Sequence, residues 1–221
     1  MIKTLEKHTV SSYDEELKQL VAAIRDMEGL LEKLLDCVAE SLKDPAASLA
    51  DTVKEVDQKI NALDRKVEQK ATRILALRNP LAVDLRLAIS ALKVATILER
   101  MGDLAKNSTR RVVGLEKKPS KDIQEPLEEM VELVKKMLRN SVSGFRKLDT
   151  EKADKVWKRE DKVDALTKDM FDVLTARIQA DSSTAADSMR TLLVAKNLER
   201  IGDYATAIAK IVHYMSSGER Q

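Results

Sequence analysis

Apolar positions along the chain recur at alternating intervals of three and four, the spacing of one face of an α-helix. The first such stretch, Leu17, Leu20, Val21, Ile24, Met27, Leu31, Leu34, Leu35 and Val38, predicts a helix over residues 13–42, opened by a capping-box pair of Ser12 and Glu15. Asp44-Pro45 interrupts the period and places a proline at the start of a second helix, residues 45–77. Asn79-Pro80 repeats that signal, and Leu81, Leu85, Ile89, Leu92, Ile97, Leu98 and Leu104 carry a third helix to a stop near Gly114.

Residues 116–121 hold Pro119 and Ser120 among charges and have no apolar period, which makes them a linker. A second trio of helices follows, over residues 122–148, 150–181 and 183–217, with Asp181-Ser182-Ser183 capping the last. Helices of about 30 residues are about 45 Å long, and short connections make sequential neighbours antiparallel. The expected fold is all-α: two tandem three-helix bundles, residues 1–116 and 117–221. The composition agrees, with only 3% aromatic residues and six Gly and four Pro in 221 residues.

The two trios repeat each other at an offset of 100 residues. Ala95-Thr-Ile-Leu-Glu-Arg-Met-Gly-Asp-Leu-Ala105 is answered by Ala195-Lys-Asn-Leu-Glu-Arg-Ile-Gly-Asp-Tyr-Ala205, and a weaker echo, at an offset of 103, pairs Asp57, Ile60, Asn61 and Leu63 with Glu160, Val163, Asp164 and Leu166. Glu99 and Asp103 are four residues apart, as are Glu199 and Asp203, so each pair projects from one helix face, where like charges repel. Asp57/Asn61 and Glu160/Asp164 place a second oxygen-bearing pair on the preceding helix of each trio. Two readings stand: Arg100 pairs with Asp103 and the acids are solvated, or the acids gather at a helix contact and hold a cation. Gly102 and Gly202 favour a close contact, because a mid-helix glycine costs about 1 kcal/mol relative to alanine and here recurs at one register. With hard oxygen donors throughout, the cation would be Mg²⁺, Mn²⁺, Ca²⁺ or iron rather than structural zinc.

Charge and the remaining residues narrow the function. A formal net charge of +2, with acids and bases mixed along the chain, gives no dedicated nucleic-acid surface. The single cysteine, Cys37, lies in an apolar pattern and is expected to be buried in a reducing compartment; no apolar run approaches the ~18 residues of a membrane span. Cytoplasmic location is the expectation. No P-loop, HExxH, CxxC or GxSxG string is present, and neither His8 nor His213 follows a Glu by three residues as di-metal enzymes require. No catalytic residue is therefore assigned. His213 is read as a helix-end cap, and Trp157, Phe145, Phe171, Tyr204, Met130, Met137, Met170 and Met189 as packing residues.

The paired LERMGD and LERIGD strings, late in the third helix of each trio, together with Asn79-Pro80-x-x-x-Asp84-Leu-Arg86, resemble the PhoU phosphate-regulatory proteins over essentially the whole chain. That resemblance implies a negative regulator of phosphate uptake and of phosphate-starvation signalling. Its implied partners are the phosphate ABC transporter, through the ATPase subunit, and a membrane sensor histidine kinase, with a homodimer as the working form and the membrane reached only through partners. It also implies E(D)xxxD motifs that bind metal, with iron or zinc known for the fold and manganese or magnesium suited to the donors. Carried over, the ligands are Glu99, Asp103, Glu199 and Asp203, with Asp57, Glu160 and Asp164 on the second helices. Asn61 is a weaker ligand than a carboxylate. The family's continuation of the last motif, an Asn and then an acid, is replaced by Ala207 and Lys210, and the second trio has no clear match to Asp84-Leu-Arg86.

Overall fold

The computed structural model describes residues 11–219; His8 and the side chain of Ser12 lie outside the described residues. Six α-helices follow in order: α1 Ser11–Lys43, α2 Ala50–Arg78, α3 Ala82–Val113, α4 Lys121–Lys147, α5 Thr150–Ala180 and α6 Ala185–Ser217, with a 3-10 turn over Ser182–Thr184. There is no strand among the described residues. The all-α, twice-repeated architecture is as the periodicity indicates.

Two helices begin later than the proline signals suggest. Asp44 spends its side chain on a turn rather than on a helix cap: Oδ1 accepts from the Ala46 amide at 3.0 Å, the Asp44 carbonyl accepts from Ala47, and Pro45 sits inside the turn, so α2 waits until Ala50. Asn79 closes α2 instead of opening α3, adopting the left-handed conformation (φ 45°) that asparagine tolerates, and α3 starts at Ala82 after extended Leu81. The connection between the trios falls at residues 114–120, where the linker is expected.

Within each trio sequential helices are antiparallel. Arg78 near the end of α2 pairs with Glu16 near the start of α1 at 2.9 Å, and His213 near the end of α6 meets Asp154 near the start of α5. The trios then dock on each other, α3 against α6 and α1 against α4, while α2 and α5 pack only within their own trio and form the two outer flanks. One continuous apolar core results, running from Leu34 and Leu98 in the first trio to Met137 and Leu198 in the second. Each such fully buried side chain contributes roughly 1.5–3 kcal/mol.

Polar groups fix the antiparallel register of α3 and α6. At one end Arg86 Nε donates to the Met215 carbonyl at 3.3 Å; at the other, Arg190 donates to the Gly114 carbonyl at 2.6 Å while Asp187 accepts from the Glu116 amide. Each guanidinium thus satisfies a carbonyl at the partner helix's C-terminal end. Asp187 and Arg190 do in the second repeat what Arg86 does in the first, although no sequence match marks them. On the α1/α4 seam Arg139 and Lys135 pair with Glu32 and Asp36.

Most packing expectations hold: Cys37, Phe145, Met130, Met137 and Met170 are buried. Phe171 and Met189 are not, at 54% and 50% exposure, because their registers turn them to the outside of α5 and α6. His213 does not cap carbonyls. Its Nε2 lies 2.9 Å from Asp154 Oδ1 and its ring stacks on Trp157 with centroids 5.1 Å apart.

Candidate functional site

The register of α2 on α3, and of α5 on α6, brings the expected acids of each repeat to the outer groove between those helices. Gly102 lets α2 come close to α3, whereas Gly202 faces α4 rather than α5. A Cβ on Gly102 would lie 3.2 Å from Ile60 Cδ1 of α2, and one on Gly202 would lie 3.4 Å from Met137 Cε of α4. Both glycines are buried, so each motif turns its small residues, with Ala95, Ala105, Ala195 and Ala205, into the core and its carboxylates toward the flank.

In the first repeat a lysine stands among the acids. Lys106 Nζ donates to Asp57 Oδ1 at 2.8 Å across the helix contact and to Asp103 Oδ1 at 2.5 Å on its own helix. Its side chain is only 15% exposed. Burial alone would lower the ammonium pKa, but the two hydrogen bonds and charges of Asp103 and Asp57 outweigh it and raise it, so the group stays charged. Asp103 therefore pairs with Lys106, one turn on, rather than with Arg100. Farther along the groove Glu99 is raised by burial and by the charges of Asp103 and Asp64, and Asp64 by burial and the charge of Glu68. Asp64, absent from the sequence-based set, thus belongs to the groove.

The second repeat carries four carboxylates and no such lysine. Glu160 is raised by burial and by Asp164 and Asp203, opposed by the Thr206 hydroxyl and Lys210. Asp164 is raised by burial, then by Glu199 and Asp161; Asp203 by burial, then by Glu199 and Asp164. These mutual effects show that Glu160, Asp164, Glu199 and Asp203 share one electrostatic neighbourhood. Lys196 bonds only to Glu199 and is itself half exposed. Thr206, at the register of Lys106, is 5% exposed, and its Oγ1 faces the Glu160 carboxylate without closing a hydrogen bond.

As the side chains stand, no three Asp, Glu, His or Cys groups among the described residues converge on a point that could hold a metal ion. The donors of the two grooves nonetheless differ in suitability. The first does not fit an added cation, since the position between Asp57 and Asp103 is taken by an ammonium. The second fits in donor type: four carboxylates, of which Glu160, Asp164 and Asp203 are each raised by burial and by a neighbouring acid, beside the buried Thr206 hydroxyl.

Comparison with known proteins agrees with this two-repeat geometry. The chain is 40% identical over 215 residues to the phosphate-specific transport system accessory protein PhoU homolog of Caulobacter vibrioides, covering 96% of this chain and 93% of that one. The Zymomonas mobilis homolog is 39% identical over 213 residues, covering 96% and 90%. The crystal structure of PhoU from Pseudomonas aeruginosa superposes with a TM-score of 0.88 at 32% identity, covering 94% of this chain and all of that one. The PhoU domain model matches residues 24–112 and 127–212, one match in each helical trio, and the chain belongs to the PhoU family.

Proposed function

We propose that the protein is an accessory protein of a phosphate-specific transport system that restrains phosphate uptake and starvation signalling. It does so by binding the importer's ATPase subunit and a membrane sensor histidine kinase. The observation that carries this reading is likeness along nearly the whole chain to relatives whose names give them the accessory role. The architecture supports it: long helices with mixed-charge outer faces suit recruitment of partners. None of the described helices is long and apolar enough to cross a membrane, which is consistent with a cytoplasmic protein that reaches the bilayer through its partners. A homodimer and the absence of catalysis belong to the same reading.

Metal binding is the finer part. The residues that would hold a cation are Glu160, Asp164, Glu199 and Asp203, with Thr206 beside them. A bound hard divalent ion would supply the positive charge that these repelling carboxylates lack. The chain's own part is to hold two acids on α5 opposite two on α6. Pull-down of the full chain from membranes of its native host tests the reading. The ATPase subunit and the kinase should copurify with the parent, and less of each with the Glu199→Ala/Asp203→Ala variant. Recovery of neither partner would count against the adaptor role.

A further inference from the structure

From the two grooves we infer that Lys106 is the built-in cation of the first repeat, taking the place of a metal between α2 and α3, so that cation binding is confined to the second repeat. This rests on the proposed second-repeat site for its second half and on the Lys106 geometry for its first.

The ammonium is not a solvated surface charge that happens to lie nearby. It bridges two helices, reaching Asp57 on α2 and Asp103 on α3 with a largely covered side chain. An ion entering there would have to displace it and would then meet a like charge at the end of the same arm. At the equivalent register of the second repeat stands Thr206, which carries no charge and whose buried hydroxyl faces Glu160 of α5 without closing a hydrogen bond. The lysines of the second groove do not substitute: Lys196 sits on the same helix as its one carboxylate, and Lys210 is exposed. Asn61, where the second repeat has Asp164, removes one further negative charge from the first groove. The repeats have thus diverged: in the first an ammonium already lies between an α2 acid and an α3 acid, and in the second no lysine hydrogen-bonds acids of both α5 and α6.

Titration of the full chain with Mn²⁺, following free Mn²⁺ by electron paramagnetic resonance, tests this. Mn²⁺ uptake by the parent should be unchanged by Asp57→Ala/Asp103→Ala and abolished by Glu199→Ala/Asp203→Ala. Lys106→Thr should add a site, at least about tenfold tighter than any residual binding by the parent's first repeat, that disappears when Asp57 and Asp103 are also replaced. Parent uptake that depends on Asp57 and Asp103 would overturn the inference. Mn²⁺ uptake by neither the parent nor Lys106→Thr would overturn both the second-repeat site and the expected added site, and a metal-free melting series then tests the placement of Lys106 by itself. Lys106→Met should lower Tm in the parent but not in an Asp57→Asn/Asp103→Asn background, and equal losses in both backgrounds would show that Lys106 is not the groove's cation.

Discussion

Asn197 Nδ2 donates to Ser108 Oγ at 3.2 Å, a buried hydrogen bond that joins the two repeats at the α3/α6 contact. Its counterpart one repeat earlier is Ile97, so the polar link exists on one side of the pseudo-symmetric pair only. Ser108 Oγ in turn donates to the Leu104 carbonyl at 2.8 Å and stays satisfied if Asn197 is removed. Asn197→Ala therefore loses two bonds, to Ser108 Oγ and a longer one to the Leu104 carbonyl at 3.4 Å, and some packing, without orphaning either partner, and is expected to cost about 1–2 kcal/mol. Urea denaturation checks it; an unchanged midpoint would mean that the Asn197 link contributes nothing to stability.

Three glycines on buried helix faces, Gly102, Gly202 and Gly144, should respond differently to alanine. At Gly102 the new methyl meets Ile60 at 3.2 Å, which offsets the roughly 1 kcal/mol gain in helix propensity and leaves the change near neutral. At Gly202 the neighbour is the mobile end of Met137 at an ordinary distance, so Gly202→Ala should stabilise by about 0.5–1 kcal/mol. Gly144 faces backbone, the Asp149 carbonyl at 3.1 Å and the Ala153 amide at 3.5 Å, and Gly144→Ala should destabilise by at least about 1 kcal/mol. Thermal melts of the three variants rank them; a gain at Gly144 would contradict the contact.

Much of this architecture is legible in the sequence because long helices with one buried face leave a regular trace. The 100-residue offset between Glu99/Asp103 and Glu199/Asp203 reports the duplication directly. What the periodicity does not carry is competition for a residue: Asp44 and Asn79 could each open the next helix, and neither does, Asp44 folding a turn and Asn79 closing α2. It also does not carry tertiary partners such as Arg190 and Gly114, which are 76 residues apart. Lys106 was within reach, since it lies three residues after Asp103 on the same face and is the first position past the shared motif where the repeats differ in charge, Lys106 against Thr206. The outward registers of Phe171 and Met189 depend on which sides of α5 and α6 are covered, which composition does not reveal.

Glu28 sits on the α1/α4 seam, where burial and the charge of Glu32 push its carboxyl pKa up to about 7 against the partial opposition of Arg146, Arg139 and Arg25. The folded chain then holds a proton that the unfolded chain has released between about pH 4.5 and 7, so stability falls as pH rises through that window. Glu160, Asp164 and Asp203, also raised, slope the same way in the metal-free protein. Glu28→Gln should remove the penalty, raising stability at pH 8 by about 1–2 kcal/mol and leaving it nearly unchanged at pH 4. Urea midpoints from pH 4 to 8 provide the check, and parallel curves for the two proteins would contradict the assignment.

Regulation by binding is tested most directly in the cell. The gene would be deleted in its native host, and a phosphate-starvation reporter measured at high phosphate. A protein that restrains starvation signalling leaves that reporter switched on when it is lost, and the full chain restores silence. A reporter that stays off in the deletion strain would contradict the regulatory role.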